Sequence, residues 1–139
     1  MDDVLCDYSR AHAKALMENS ALGFPQSQYG FFENLSPLEG AIETVKYLKK
    51  SKKYTPYILT APSEHNPLSY TEKRIWIEKH LGFDFVERLI ICSNKGLLKG
   101  DILIDDHIEG KGQENFEGQL IHFGSDEIIN WFMVQKILE

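Results

Sequence analysis

Apolar residues recur at helical spacing in several stretches of the chain, with short extended runs between them. Leu38, Ala41, Ile42, Val45 and Leu48 share one face of a helix. Lys46, Lys49, Lys50, Lys52 and Lys53 mark its solvated end, where positive charge suits a helix C-terminus. Ser36-Pro37-Leu38-Glu39 combines an N-cap serine, proline at the first helical position and glutamate three residues after the cap, which predicts a helix starting there. Ser69-Tyr70-Thr71-Glu72 predicts a second capping box, with apolar positions Ile75, Trp76 and Leu81 running to Gly82. Ser125 can cap a final helix, with Ile128, Ile129, Trp131, Phe132 and Leu138 as its apolar surface. Tyr54 to Thr60 reads as a strand with Pro56 near its beginning. Val86 to Cys92, Asp101 to Ile104 and Gln119 to Phe123 read as short buried strands.

This alternation predicts an α/β fold with a parallel sheet covered on both faces, whose functional groups gather at the carboxyl ends of the strands. A helix over residues 8 to 19, followed by Gly23-Phe24-Pro25-Gln26-Ser27-Gln28-Tyr29-Gly30, breaks the alternation and predicts a cap inserted at about residues 9 to 33. With 139 residues, 42% hydrophobic and 26% charged, the chain reads as a single domain over residues 1–139 with its own core. Cys6 and Cys92 fit no metal or redox spacing and read as reduced intracellular thiols. No apolar run exceeds four residues, which argues against a membrane span, and the acidic Met-Asp-Asp start is unlike an export signal, so the expected setting is cytoplasmic. A net charge of −6 argues against a duplex nucleic-acid partner.

Charge matters locally rather than globally. Asp2/Asp3, Thr60, Lys95 and Asp105/Asp106 each stand at the chain start or in a loop where a predicted strand ends. Phosphoryl transfer needs a cation against the phosphate oxygens, carboxylates to hold that cation, and donors for the remaining oxygens. The Asp105/Asp106 pair offers oxygen ligands suited to Mg²⁺, Thr60 offers a hydroxyl, and Lys95 a point charge on a loop. Singly, these residues also read as a turn device, a β-branched strand residue and a surface lysine; their joint occurrence in this order favours one phosphate site. His12, His65, His80, His107 and His122 show no ligand spacing, and no GxSxG elbow supports a serine hydrolase.

Met1-Asp2-Asp3-Val4-Leu5-Cys6-Asp7-Tyr8, Ile58-Leu59-Thr60-Ala61-Pro62, Lys95 and Ile102-Leu103-Ile104-Asp105-Asp106 together resemble the four motifs of the haloacid dehalogenase-like (HAD) superfamily. Phe31 to Ala41 and Glu72 to Gly82 resemble the 5'(3')-deoxyribonucleotidases within it. The resemblance implies a HAD-like Rossmannoid three-layer parallel sheet with a short cap and a Mg²⁺-dependent 5'-nucleotidase that hydrolyses (deoxy)ribonucleoside monophosphates through an aspartyl-phosphate. It makes Asp2 the acid/base residue and, through its main-chain carbonyl, a Mg²⁺ ligand together with Asp105, with Asp106 close by. It makes Thr60 and Lys95 phosphate-binding, Tyr8 an aromatic near the substrate, and Phe24 a cap residue contacting the nucleoside. Its expected partner is a small nucleoside monophosphate, with no nucleic acid or membrane and a homodimer left open.

The resemblance enters the first motif at its second residue. It therefore places the nucleophilic aspartate immediately before Met1 and implies that the first strand is missing, the activity impaired and the chain marginally stable or prone to aggregate. Ser93 departs from relatives that carry arginine two positions before the lysine. The competing readings are a phosphate- or nucleotide-binding remnant without catalysis and a HAD phosphatase for another small phosphomonoester. A phosphorylation receiver has the wrong order, because here an acidic pair comes last.

Overall fold

The computed structural model covers residues 1–139 and holds four α-helices and four short strands. They are α1 (Tyr8–Glu18), α2 (Ala41–Lys50), β1 (Ile58–Thr60), α3 (Ser69–Leu81), β2 (Leu89–Ile91), β3 (Ile102–Asp105), β4 (Gln119–His122) and α4 (Trp131–Leu138). Both strand pairs are parallel: β1 with β2, from Ile58 opposite Leu89 to Thr60 opposite Ile91, and β3 with β4, from Ile102 opposite Gln119 to Asp105 opposite His122. Parallel neighbours require a crossover, and α3 supplies it between β1 and β2.

The pairs form two separate two-stranded sheets rather than one continuous sheet. Between them lies a largely apolar cavity of about 640 Å³, lined by Ile58 and Leu59 of β1, by Ile102, Leu103 and Ile104 of β3, and by Met1. The expected α/β fold with parallel strands is the one observed, and within it β1 and β3 each bond to one neighbour and present their other edge without a strand.

Local chemistry moves several predicted boundaries. Ser36 and Pro37 do not open a helix, because the segment pairs with the N-terminal loop: Asp7 N donates to Ser36 O at 2.9 Å, Leu38 N donates to Leu5 O at 2.8 Å, and Pro37 bridges Cys6. Helix α2 begins only at Ala41, after Gly40 takes the left-handed conformation at φ 75° that glycine tolerates. Ser69 starts α3, but its hydroxyl accepts from Ser63 N, and the Glu72 carboxylate is buried without a partner, so no capping box forms. Trp76, Ile77 and Leu81 are the buried face of α3, whereas Ile75 is exposed. Residues 83–88 form a 3₁₀ turn, leaving only Leu89–Ile91 as strand. Asn130, not Ser125, caps α4 by accepting from Met133 N. Trp131, Val134 and Leu138 face inward on that helix, while Ile129 before it and Phe132 on it face solvent.

The core joins Val4, Leu5 and Cys6 to Phe32, Val45, Trp76, Phe85, Phe123 and Trp131. Both tryptophans reach polar partners with their ring N–H, as buried indoles require. Trp76 Nε1 donates to Leu35 O at 2.8 Å and Trp131 Nε1 to Val4 O at 2.6 Å, so the second of these holds the N-terminal loop at the cavity's edge. No helix is long and apolar enough to cross a membrane.

Candidate active site

Strand ends and the N-terminal loop converge on two linked clusters. The first centres on Lys73, on the inward face of α3 and fully buried. Its ammonium donates to Asp2 Oδ2 at 2.9 Å, to Thr60 Oγ1 at 2.9 Å and to Ala61 O at 2.6 Å, which uses all three of its donors. It also stands 4.8 Å from the centre of the Phe32 ring. Burial of an ammonium is costly unless it is paired and hydrogen-bonded, and here both conditions hold. Thr60 is the last residue of β1 and is buried, so the strand sets the position of its hydroxyl.

The second cluster joins the loop after β2 to the end of β3. Lys95 is buried and ion-pairs with Asp105 Oδ2. Asp105 Oδ1 accepts from His107 N at 3.0 Å and from Gln113 Nε2 at 3.1 Å. Burial pushes the Asp105 carboxyl upward, but the hydrogen bond and charge of Lys95 outweigh it and hold the group below the ordinary carboxylate range. Asp106 goes the other way: burial raises it, His107 opposes and the charge of Asp105 adds.

The Met1 amine lies between the clusters. Burial lowers its pKa, Asp2 opposes, and Lys95 and Lys73 add to the lowering.

The structure brings Asp2 and Thr60 together through Lys73, and Lys95 against Asp105. Tyr8 lies at the first cluster: burial, then Asp2 and Asp3, raises its phenol, and its ring packs on Phe31, Phe32 and His12. Phe24 is exposed, 6.2 Å from the His65 ring, and makes no bond to either cluster. Asp3 turns away, accepting from Ser9 N at 2.8 Å and from Ser9 Oγ at 2.6 Å with φ 51°. Two residues escaped the sequence reading, Lys73 and Gln113. A lysine inside the stripe Ser69, Lys73, Trp76, Ile77 was the signal for the first, since those positions share one helix face. Gln113 lies in a loop and carries no periodic signal.

No three His, Cys, Asp or Glu side chains converge as a metal cage. Magnesium rarely uses one; it takes one or two carboxylates, substrate phosphate oxygens and waters. The hard oxygens of Asp2, Asp105 and Asp106 fit that chemistry, and the Asp2 main-chain carbonyl accepts no backbone hydrogen bond.

Comparison with known proteins places the chain in a family. The family model described as "5' nucleotidase, deoxy (Pyrimidine), cytosolic type C protein" matches residues 2–133. A candidate 5'(3')-deoxyribonucleotidase of Vibrio phage KVP40 is 38% identical over 140 residues, 99% of this chain and 81% of that protein. The 5'(3')-deoxyribonucleotidase of Bacillus subtilis is 32% identical over 119 residues, 79% of this chain and 66% of its own length. The human cytosolic-type 5'(3')-deoxyribonucleotidase is 39% identical over 85 residues, 61% of this chain and 42% of its own length.

Proposed function

Because the chain belongs to the 5'(3')-deoxyribonucleotidase family of the HAD superfamily, we propose that its site binds deoxyribonucleoside monophosphates and serves their Mg²⁺-dependent hydrolysis. The observation that carries this is the placement of Lys73 and Lys95, both buried, against Thr60 at the end of β1, Asp105 at the end of β3 and Asp2 in the N-terminal loop. Thr60 and Lys95 receive the phosphate oxygens, while Lys73 holds Thr60 and Asp2 in place. Asp2 gives a proton to the leaving nucleoside oxygen as the phosphoryl group passes to an attacking aspartate, and takes one from the water that then cleaves the aspartyl-phosphate to free phosphate, while Lys73 orients the Asp2 carboxylate. Magnesium, held by the Asp2 carbonyl and Asp105 with Asp106 beside it, would neutralise phosphate charge. Tyr8 and Phe24 border the nucleoside side. The name of the human cytosolic-type relative and the two free thiols support a cytoplasmic setting.

A second reading, binding without hydrolysis, is favoured by one observation: three carboxylates near the site are already engaged. Asp2 is held by Lys73, Asp105 by Lys95, and Asp3 by Ser9. Calorimetry with deoxyribonucleoside monophosphates, with and without Mg²⁺, tests the shared premise; no metal-linked binding overturns both readings. Mg²⁺-dependent phosphate release from the full-length protein then separates them. Hydrolysis is expected, with Asp2→Asn slowing it by about 10²–10⁴; absence of release on every nucleotide leaves the binding reading alone.

A further inference from the structure

Resting on the phosphate-site reading, we propose that Gln113 is a positioning residue that sets where Lys95 presents its charge, acting through the Asp105 carboxylate. Gln113 is buried, and both ends of its carboxamide are engaged: Nε2 donates to Asp105 Oδ1 at 3.1 Å and Oε1 accepts from Lys111 N at 2.8 Å. Lys111 O in turn accepts from Lys95 N at 2.7 Å. With the Lys95–Asp105 ion pair, these bonds close a ring: Lys95 backbone, Lys111, Gln113, Asp105, Lys95 side chain. A carboxylate held on one oxygen by two donors cannot rotate freely, so its other oxygen stays toward the lysine. The turn that delivers Gln113 is equally constrained. Gly112 has φ 81°, and a Cβ there would run into the Asn94 side chain and the Lys95 backbone.

Glutamate at this position keeps the acceptor for Lys111 N but has no donor for Asp105, and leucine loses both. The test compares wild type, Gln113→Glu and Gln113→Leu by calorimetric titration with inorganic phosphate and by the ¹⁵N resonance of the Lys95 ammonium. Both variants are expected to bind phosphate about tenfold more weakly and to shift the Lys95 signal, and Gln113→Glu, which sets a second buried carboxylate beside Asp105, is expected to melt below wild type. Wild-type affinity with an unmoved Lys95 signal in Gln113→Glu overturns the proposal. Loss confined to Gln113→Leu also overturns it, because the residue would then only anchor the loop. If the wild type binds no phosphate, the functional reading fails, and the Lys95 resonance still decides whether Gln113 positions the pair.

Discussion

The two ends of the strand layer solve the same gap in opposite ways. At the carboxyl ends, charged side chains reach across it: Lys73 links α3 to Asp2 and β1, and Lys95 links the β2 loop to β3. Along the strands the gap stays open as an apolar cavity, where Ile58 and Leu103 meet no intervening strand. Backbone pairing demands a neighbour about 5 Å away, whereas a lysine carries its donors several bonds from its own helix. The polar end is thus fully bonded while the apolar middle is not filled. Stability should therefore depend more on single residues at the site end than along the cavity.

Removing Lys73 should have the largest effect. Lys73→Met leaves Thr60 and Asp2 without their shared donor and should cost about 3 kcal/mol in urea unfolding, at the low end for a broken buried pair because Asp2 is 29% exposed. Phosphate affinity should fall with it, and unchanged stability would mean the clusters do not join the strand layer.

Truncation in the two apolar environments sharpens the contrast. Ile77→Ala, in fully packed core, should cost about 2.5 kcal/mol, while Leu103→Ala, facing a space already empty, should cost about 1.5 kcal/mol because fewer contacts are lost. Equal costs by denaturant titration would show that the cavity closes in solution.

The smallest effect is a pH dependence remote from the site. Burial against Trp76, then the charges of Lys79 and Lys46, lowers the His80 pKa below 6.5. The unfolded chain therefore takes up this proton first as pH falls. The stability contribution is complete above 6.5 and is lost as pH drops from there through the folded pKa. His80→Gln should remove that slope from unfolding curves measured across the window.

Much of this molecule follows from local pattern. Helix α1, strands β3 and β4, the buried side of α2 and the stop at Gly82 are set by periodicity and by glycine's freedom, which act over a few residues. Thr60, Lys95 and Asp105 were legible because strand-end loops in an alternating chain share one edge of the sheet. Tertiary contacts decided the rest. The capping pattern at Ser36 gave way because residues 36–38 found backbone partners at 5–7, and hydrogen bonds to a distant segment compete directly with those of a first helical turn. Lys73 became a site residue, and Gln113 a brace for Asp105, only when α3 and the loop at 111–113 were packed against strand ends. A side chain's charge is written in the sequence, but whether it lies in water or against an opposite charge is settled by burial.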